Sequence, residues 1–478
     1  MTNRERADSR SPAMAAFLSF CWPGLGQLYG GRRRVAALLA LPVMALAAFF
    51  LIQALNGVAV LGSRMFVPAF AISILALAIL VGFWRIVAII DAFRAVGTSA
   101  DRRRPAVRVL LAALLLLVVG THGLLAYDSW AFLDASSRIF VGGQPAPTLA
   151  PGQTANPAAT DNGAGANYGG GSAIIPPTTS SRVTILLTGI DAYRTRTEAL
   201  NDTLLVVSFD PVKKTAAILS VPRDTSEFPL YFGGVYHGKI NSLMTWVYLK
   251  FVASPDNPIN TLTKELGFLL GIPINYYAAV DMANFRTMID LVGGVDVNNP
   301  KWINDPLYDW LDGSPPGLQL SPGPHHLDGR LALAYVRSRF GLGDNDYTRA
   351  ARQQEVIVAL AKKMASPAGI AQLPALLNAA AGAIKTNIPS DRVPDMVQLA
   401  GDFDPANITQ IVLGPPYNYH PDSSTTGGVW TSRLYMDKIA ALSVKLFGTD
   451  SRYYTHPAAG APVDTPPPSA SPVGPTPR

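Results

Sequence analysis

Three long apolar runs constrain this chain before anything else. They lie at roughly 35–55, 66–84 and 107–127, each near the 20 residues a helix needs to cross a hydrocarbon core. In a bilayer every backbone group must be satisfied within the segment, so such runs are helical. Residues 1–140 therefore read as an all-α membrane region with about three transmembrane helices. Composition agrees: hydrophobic residues make up 49% and charged residues 15% of the 478. A soluble globule carries about 25% charge, so a purely soluble protein is excluded.

Charge orients the array. Residues 1–181 carry 14 Lys/Arg against 7 Asp/Glu, while 182–455 carry 24 against 25. The basic excess belongs to the membrane region, which leaves no basic stripe to grip nucleic acid. Arg4, Arg6, Arg10, Arg32, Arg33 and Arg34 precede the first run. Arg94, Arg102, Arg103 and Arg104 separate the second from the third, and the loop at 56–65 holds only Arg64. Arginine-rich segments stay in the cytoplasm. Three spans with the N-terminus inside thus make a multi-pass protein of the cell membrane whose remaining chain is extracellular. A shorter apolar run at 13–30 is broken by Pro23, Gly24 and Gly26. Its PGLGQLYGG resembles the hairpin that opens small two-helix membrane modules, and it is expected to be re-entrant or interfacial. Cys21 is the only cysteine, so there is no intrachain disulfide.

Composition then divides the rest. Residues 141–181 hold eight Gly, six Pro and one charge, Asp161, and such a stretch cannot bury a core. It is expected to be a disordered linker, spanning on the order of 35 Å as a coil. Residues 456–478 are a second Pro-rich disordered piece. Between them, 182–455 alternates strands and helices. VTILLTGI (183–190), TLLVVSF (203–209) and TAAILSV (215–221) are apolar without alternation, as strands covered on both faces are. Further strands are expected near 276–281 and 408–414. Helices are expected near 240–253, 258–271, 282–292, 328–336, 346–365 and 369–383. The fold class is α/β, a mixed central sheet with helices on both faces. Trp246, Phe251, Leu262, Leu266 and Leu269 read as helix core, and His325-His326 as structural.

The chemistry converges on one sheet edge. If the first three strands are antiparallel neighbours, Asp191, Asp202 and Arg223 reach the same edge, with Asp224 beside them. Carboxylates next to an arginine suit a hard cation and an anion; magnesium takes one or two carboxylates plus phosphate oxygens. A second cluster holds Arg337, Arg339, Arg349, Arg352 and Gln353. If the segment around Arg337 is extended, Arg337 and Arg339 share a face; Arg349 and Gln353 share one on a helix from about Asp346. Arginine binds phosphate through a planar fork, so this set suits a pyrophosphate. Against that, an aspartate at a strand end is more often a turn residue and a lone arginine a solvated charge.

The ordered motifs LLTGID, NDTLLVVSFDPVKK, AILSVPRDT, GKIN, YYAAVDMANFRTMIDLVGGVDV, LDGRLALAYVRSR and the D-x-x-R-x-x-RQQ pattern at Asp346 to Gln354 resemble the LytR-CpsA-Psr family of cell-wall polymer ligases. The resemblance implies a magnesium-dependent phosphotransferase outside the cell. It would move a glycopolymer from a polyprenyl-pyrophosphate carrier to peptidoglycan as a phosphodiester. It also implies magnesium on Asp191 and Asp202, pyrophosphate on Arg223, Arg337, Arg339, Arg349 and Gln353, and a lipid tail in an apolar pocket between sheet and helices. Asp224 is the candidate base, chosen for its place beside Arg223. Leu200 and Asn201 stand where members often carry Arg-Ser, and Arg194 or Arg196 would have to substitute. A lipid-pyrophosphate hydrolase and a non-catalytic lipid-binding regulator are the other classes the residues allow.

Overall fold

The computed structural model describes residues 10–55, 57–140, 182–191, 200–250, 256–310, 312–364, 366, 384–401, 407–422 and 424–455. The expected linker, the Pro-rich tail and the expected helix at 369–383 lie outside the described residues, as does Phe251.

The chain opens with α1 (Pro12–Cys21), capped by Ser11, and α2 (Leu25–Tyr29). The turn between them demands its glycines. Gly24 has φ 100°, and a Cβ there would meet Ala36 O at 2.4 Å; the left-handed conformation and the close approach both exclude larger residues. The helices α3 (Arg33–Leu55), α4 (Val58–Ser63), α5 (Pro68–Ala95), α6 (Ser99–Arg103) and α7 (Pro105–Ile139) follow. Of these, α3, α5 and α7 are long and apolar enough to cross a membrane. Gln27, fully buried, ties the α1–α2 hairpin to α5 by donating to Ala88 O at 2.8 Å and Asp91 Oδ2 at 3.0 Å. The third expected run proves longer than its hydropathy indicates. The α7 helix continues through Asp128 and Asp134 to Ile139, where Phe66, Phe132, Ala135 and Ile139 pack with Ile384 and Val393 of the following domain.

That domain is built on a six-stranded sheet: β1 (Val183–Asp191), β2 (Leu200–Asp210), β3 (Thr215–Ser220), β4 (Tyr276–Asp281), β5 (Ile384–Thr386) and β6 (Ile408–Val412). The spatial order is β5-β4-β1-β2-β3-β6. β2 is antiparallel to β1 and β3, β5 is antiparallel to β4, and β4 and β6 run parallel to β1 and β3 respectively. The mixed sheet with helices on both faces is thus as the apolar runs required. Around it stand α8 (Leu243–Lys250), α9 (Pro258–Leu270), α10 (Met282–Leu291), α11 (Gly329–Arg337), α12 (Asp346–Met364), α13 (Val393–Gly401) and α14 (Met436–Phe447). Leu204 and Val206 face Leu262, Leu266 and Leu269 of α9. Leu205 and Val207 face Ile357 and Val358 of α12. Gln354, buried, joins α12 to the sheet by donating to Ser220 Oγ at 2.7 Å and Ile411 O at 3.0 Å. His325 and His326 lie on a two-stranded antiparallel ladder of 323–327 with 295–299, His326 Nδ1 2.6 Å from Asp296 Oδ1.

One core residue is an ionisable group in an apolar place. Glu265 of α9 is fully buried; its Oε2 accepts the Tyr231 N–H at 3.0 Å, and its Oε1 finds no hydrogen-bond partner among the described residues. Burial pushes the carboxyl from the ordinary 4.5 up to about 8, against the pull of the Tyr231 N–H and Arg452. Between those values the folded chain keeps a proton that the unfolded chain releases, so this residue costs stability as pH rises. Glu265→Gln should therefore raise the melting temperature by a margin that grows from pH 5 to pH 8. A margin equal at both pH values would refute the assignment.

Candidate functional site

The site begins with a fault in the β1–β2 ladder. Gly189 pairs with Thr203 and Ile190 with Asn201, so Asp202 is the extra residue of a bulge. Bulges re-aim a side chain, and Asp202 is turned to Arg223, whose Nη1 donates to its Oδ1 at 2.7 Å. Arg223 follows directly from β3, where Val221 N still bonds Leu204 O at 2.9 Å. The neighbouring Asn201 turns inward, donating to Thr188 Oγ1 at 2.8 Å. Asp191 ends β1 opposite Leu200; its side chain, like the 192–199 loop with Arg194 and Arg196, lies outside the described residues.

The second cluster reaches the same edge through Asp346. Its Oδ1 lies 2.9 Å from Arg349 Nη2, 3.8 Å from Arg223 Nε and 3.9 Å from Arg339 Nη1. Three guanidinium groups thus surround one carboxylate oxygen. Arg223 Nε and Arg349 Nε are nevertheless buried without a hydrogen-bond acceptor. Buried donors left in that condition are costly, and arginine forks at such spacing suit a multiply charged oxyanion. Burial works against the Arg223 charge, but Asp202, Asp346 and Asp224 outweigh it and raise its pKa. Arg349 goes the other way: burial lowers its pKa, and Arg223 and Arg339 add to that against Asp346 and Asp202.

The loop that carries Arg339 is pinned from below. Buried Asp305 accepts from Ser338 Oγ at 2.8 Å and from the Arg339 N–H at 3.2 Å. Arg352, expected in the phosphate set, is instead part of this support. It pairs with Asp344 at 3.0 Å and donates to Ser338 O. Arg337 also differs from expectation. It is the last residue of α11, not part of an extended segment, because the helix runs on until Ser338 turns extended. It lies against Tyr308, whose pKa is raised by burial and lowered by Arg337, and its Nη1 is buried without an acceptor. No ion pair joins it to Asp202 or Asp346 among the described residues. Gln353 spends its amide on Val336 O at 3.2 Å, holding α12 to α11. Asp224 is buried, with Oδ1 on Lys239 Nζ at 2.6 Å and Oδ2 3.9 Å from Arg223 Nε.

Asp346 and Lys239 are therefore site residues that sequence reasoning passed over. Each was visible only as part of a motif, D-x-x-R or GKIN, and neither motif says which side chains meet.

A mixed α/β domain carried on apolar helices, with arginines gathered at one sheet edge, is the architecture of a membrane-attached anion-receptive protein. The chain belongs to the LytR_cpsA_psr family, whose model matches residues 155–448. Among curated proteins it is 33% identical over 217 residues to the polyisoprenyl-teichoic acid–peptidoglycan teichoic acid transferase TagU of Bacillus mycoides (strain KBAB4), covering 45% of this chain and 64% of that one. It is 32% identical over 257 residues to the corresponding TagV transferase of Bacillus subtilis (strain 168), covering 50% and 61%. The chain thus spans somewhat less than two thirds of either relative. The crystal structure of B. subtilis TagV aligns at 27% identity with a TM-score of 0.44, over 56% of this chain and 97% of that one.

Proposed function

We propose that the protein transfers a glycopolymer from a polyprenyl-pyrophosphate carrier to peptidoglycan on the outer side of the membrane. The observation that carries this reading is the convergence of Arg223, Arg339 and Arg349 on one point, with buried N–H donors unused. A pyrophosphate brings the several charged oxygens such a receptor needs, and three apolar helices hold the domain where a lipid-borne substrate is found. The relatives named above are transferases of the same reaction class.

Phosphoryl transfer needs positioning and charge stabilisation more than a protein nucleophile. The acceptor hydroxyl oxygen would form a bond to the phosphorus next to the sugar, and the bond from that phosphorus to the polyprenyl phosphate would break. The hydroxyl proton would pass to a carboxylate, for which Asp224 Oδ2 is the candidate because Lys239 occupies Oδ1. Arg223, Arg339 and Arg349 would neutralise the departing polyprenyl phosphate. Asp346 Oδ1, set among the three arginines, would give way to the substrate phosphate. Asp202 supplies the hard oxygen donors that magnesium prefers, and Asp191 ends the strand beside it, so these two would hold the ion. When bound, magnesium would add positive charge against the phosphate oxygens.

The test uses intact protoplasts of a host expressing the full chain, given lipid-pyrophosphate-linked glycan and peptidoglycan from outside. Mass spectrometry should find a peptidoglycan fragment that carries the glycan through a phosphodiester. Release of glycosyl phosphate alone would make the protein a hydrolase. Product formed only after lysis would put the domain on the cytoplasmic side.

A further inference from the structure

The segment that closes the site on the Asp224 side has no role in the chemistry so far. Residues 431–432 run alongside 224–226: Ser432 N donates to Asp224 O at 2.9 Å, and Ser226 N donates to Ser432 O at 2.8 Å. Two residues before Ser432 stands Trp430, 64% exposed. A single exposed aromatic needs no explanation, but this one is braced. Its ring lies on the His420 imidazole, with centroids 4.1 Å apart and planes at 26°.

The imidazole is itself held at both nitrogens. Nδ1 faces Thr431 O at 2.8 Å and therefore carries the hydrogen, which leaves Nε2 to accept from the Tyr347 hydroxyl at 2.8 Å. Buried Asn418 donates to that hydroxyl and to Ser432 Oγ, both at 2.7 Å. Tyr347 follows Asp346 directly in α12. Hydrogen bonds thus fix Tyr347, the neighbour of Asp346, to the imidazole that backs a flat, exposed indole.

We propose that Trp430, backed by His420, is the subsite for a sugar ring of the acceptor glycan. This rests on the transfer reading above and names the place where the acceptor docks. A pyranose offers an apolar C–H face that packs on an aromatic ring, while its hydroxyls stay in water; Trp joins an apolar face to a wet surround. The surroundings favour a saccharide over an anionic lipid surface. Within 418–433, Arg433 is the only basic residue and Asp422 the only acidic one, among serines, threonines and glycines. A site for anionic headgroups would recruit basic residues.

The experiment is calorimetric titration of the full chain in detergent with a tetrasaccharide of alternating N-acetylglucosamine and N-acetylmuramic acid. Trp430→Ala should weaken binding about tenfold. Trp430→Phe should keep affinity within about threefold, and Trp302→Ala, at another exposed indole, should match wild type. In the transfer assay Trp430→Ala should raise the acceptor KM by a similar factor and leave the donor KM unchanged. Affinity of Trp430→Ala within twofold of wild type, or no binding by wild type, would overturn the inference. So would loss of binding to anionic vesicles in place of loss of glycan binding. Trp430-dependent glycan binding by a protein that transfers nothing would sink the transfer reading and leave this subsite standing.

Discussion

Replacing Arg223 by alanine should lower the single-turnover rate of polymer transfer by about three orders of magnitude, the range seen when an arginine on transferring phosphate is removed. Among the described residues Arg223 is the one guanidinium paired with both halves of the site, with Asp202 at 2.7 Å and Asp346 at 3.8 Å. Its loss would also leave Asp202, Asp224 and Asp346 facing the incoming anion with less positive charge between them. The side chain sits at the sheet edge, so the domain should still fold, which circular dichroism checks. Arg223→Lys keeps charge without the fork and should fall between alanine and wild type. A rate for Arg223→Ala within tenfold of wild type would remove the arginine cluster from the reaction.

The largest effect on stability should come from Arg352→Ala. Arg352 and Asp344 pair at 3.0 Å with side-chain exposures of 6% and 1%. Removing one member of a buried pair strands the other and costs roughly 3–5 kcal/mol. Lys301, 3.1 Å from Asp344 Oδ1, softens the loss, so about 3 kcal/mol is expected in urea unfolding of the full chain. Replacing Asp344 as well should return part of that cost, a coupling a double-mutant cycle reads directly. A destabilisation below about 1 kcal/mol for the single variant would mean that the pair is not a buried support. Because the same arginine holds Ser338 O, activity should fall with stability, through a loosened Arg339.

Which parts could be read from the residues follows from how local their causes are. The runs at 183–190, 203–209 and 215–221 announce β1, β2 and β3 because a strand covered on both faces is apolar at every position. Asp202 and Arg223 were expected at one edge, and antiparallel pairing brings them there. The bulge at Asp202 was not legible, since it depends on which residue of β1 each residue of β2 meets. Arg337 falls one residue past the helix expected at 328–336, and nothing in the residues before Ser338 marks whether that helix ends before or after it. The role of Asp346 needed the path of the 338–345 loop, which is set by Asp305 and Arg352 from distant parts of the chain. Trp430 and His420 are ten residues apart in a stretch without periodicity, so their stacking leaves no trace in sequence. In the membrane region hydropathy falls at Asp128 while the helix continues to Ile139, so the apolar run is shorter than the helix that contains it.

That continuation sets a height. At 1.5 Å per residue the 35 residues of α7 measure about 52 Å, against a hydrocarbon core of about 30 Å. Roughly 20 Å of rigid rod is left to stand above the apolar layer, ending where Phe132, Ala135 and Ile139 meet Ile384 and Val393. A rod of this kind also fixes bearing, because each added residue turns whatever it carries by about 100°. The domain is then mounted like a crane on a post, at one altitude and one compass heading, and a single inserted residue would swing its arginine-lined edge to a new bearing.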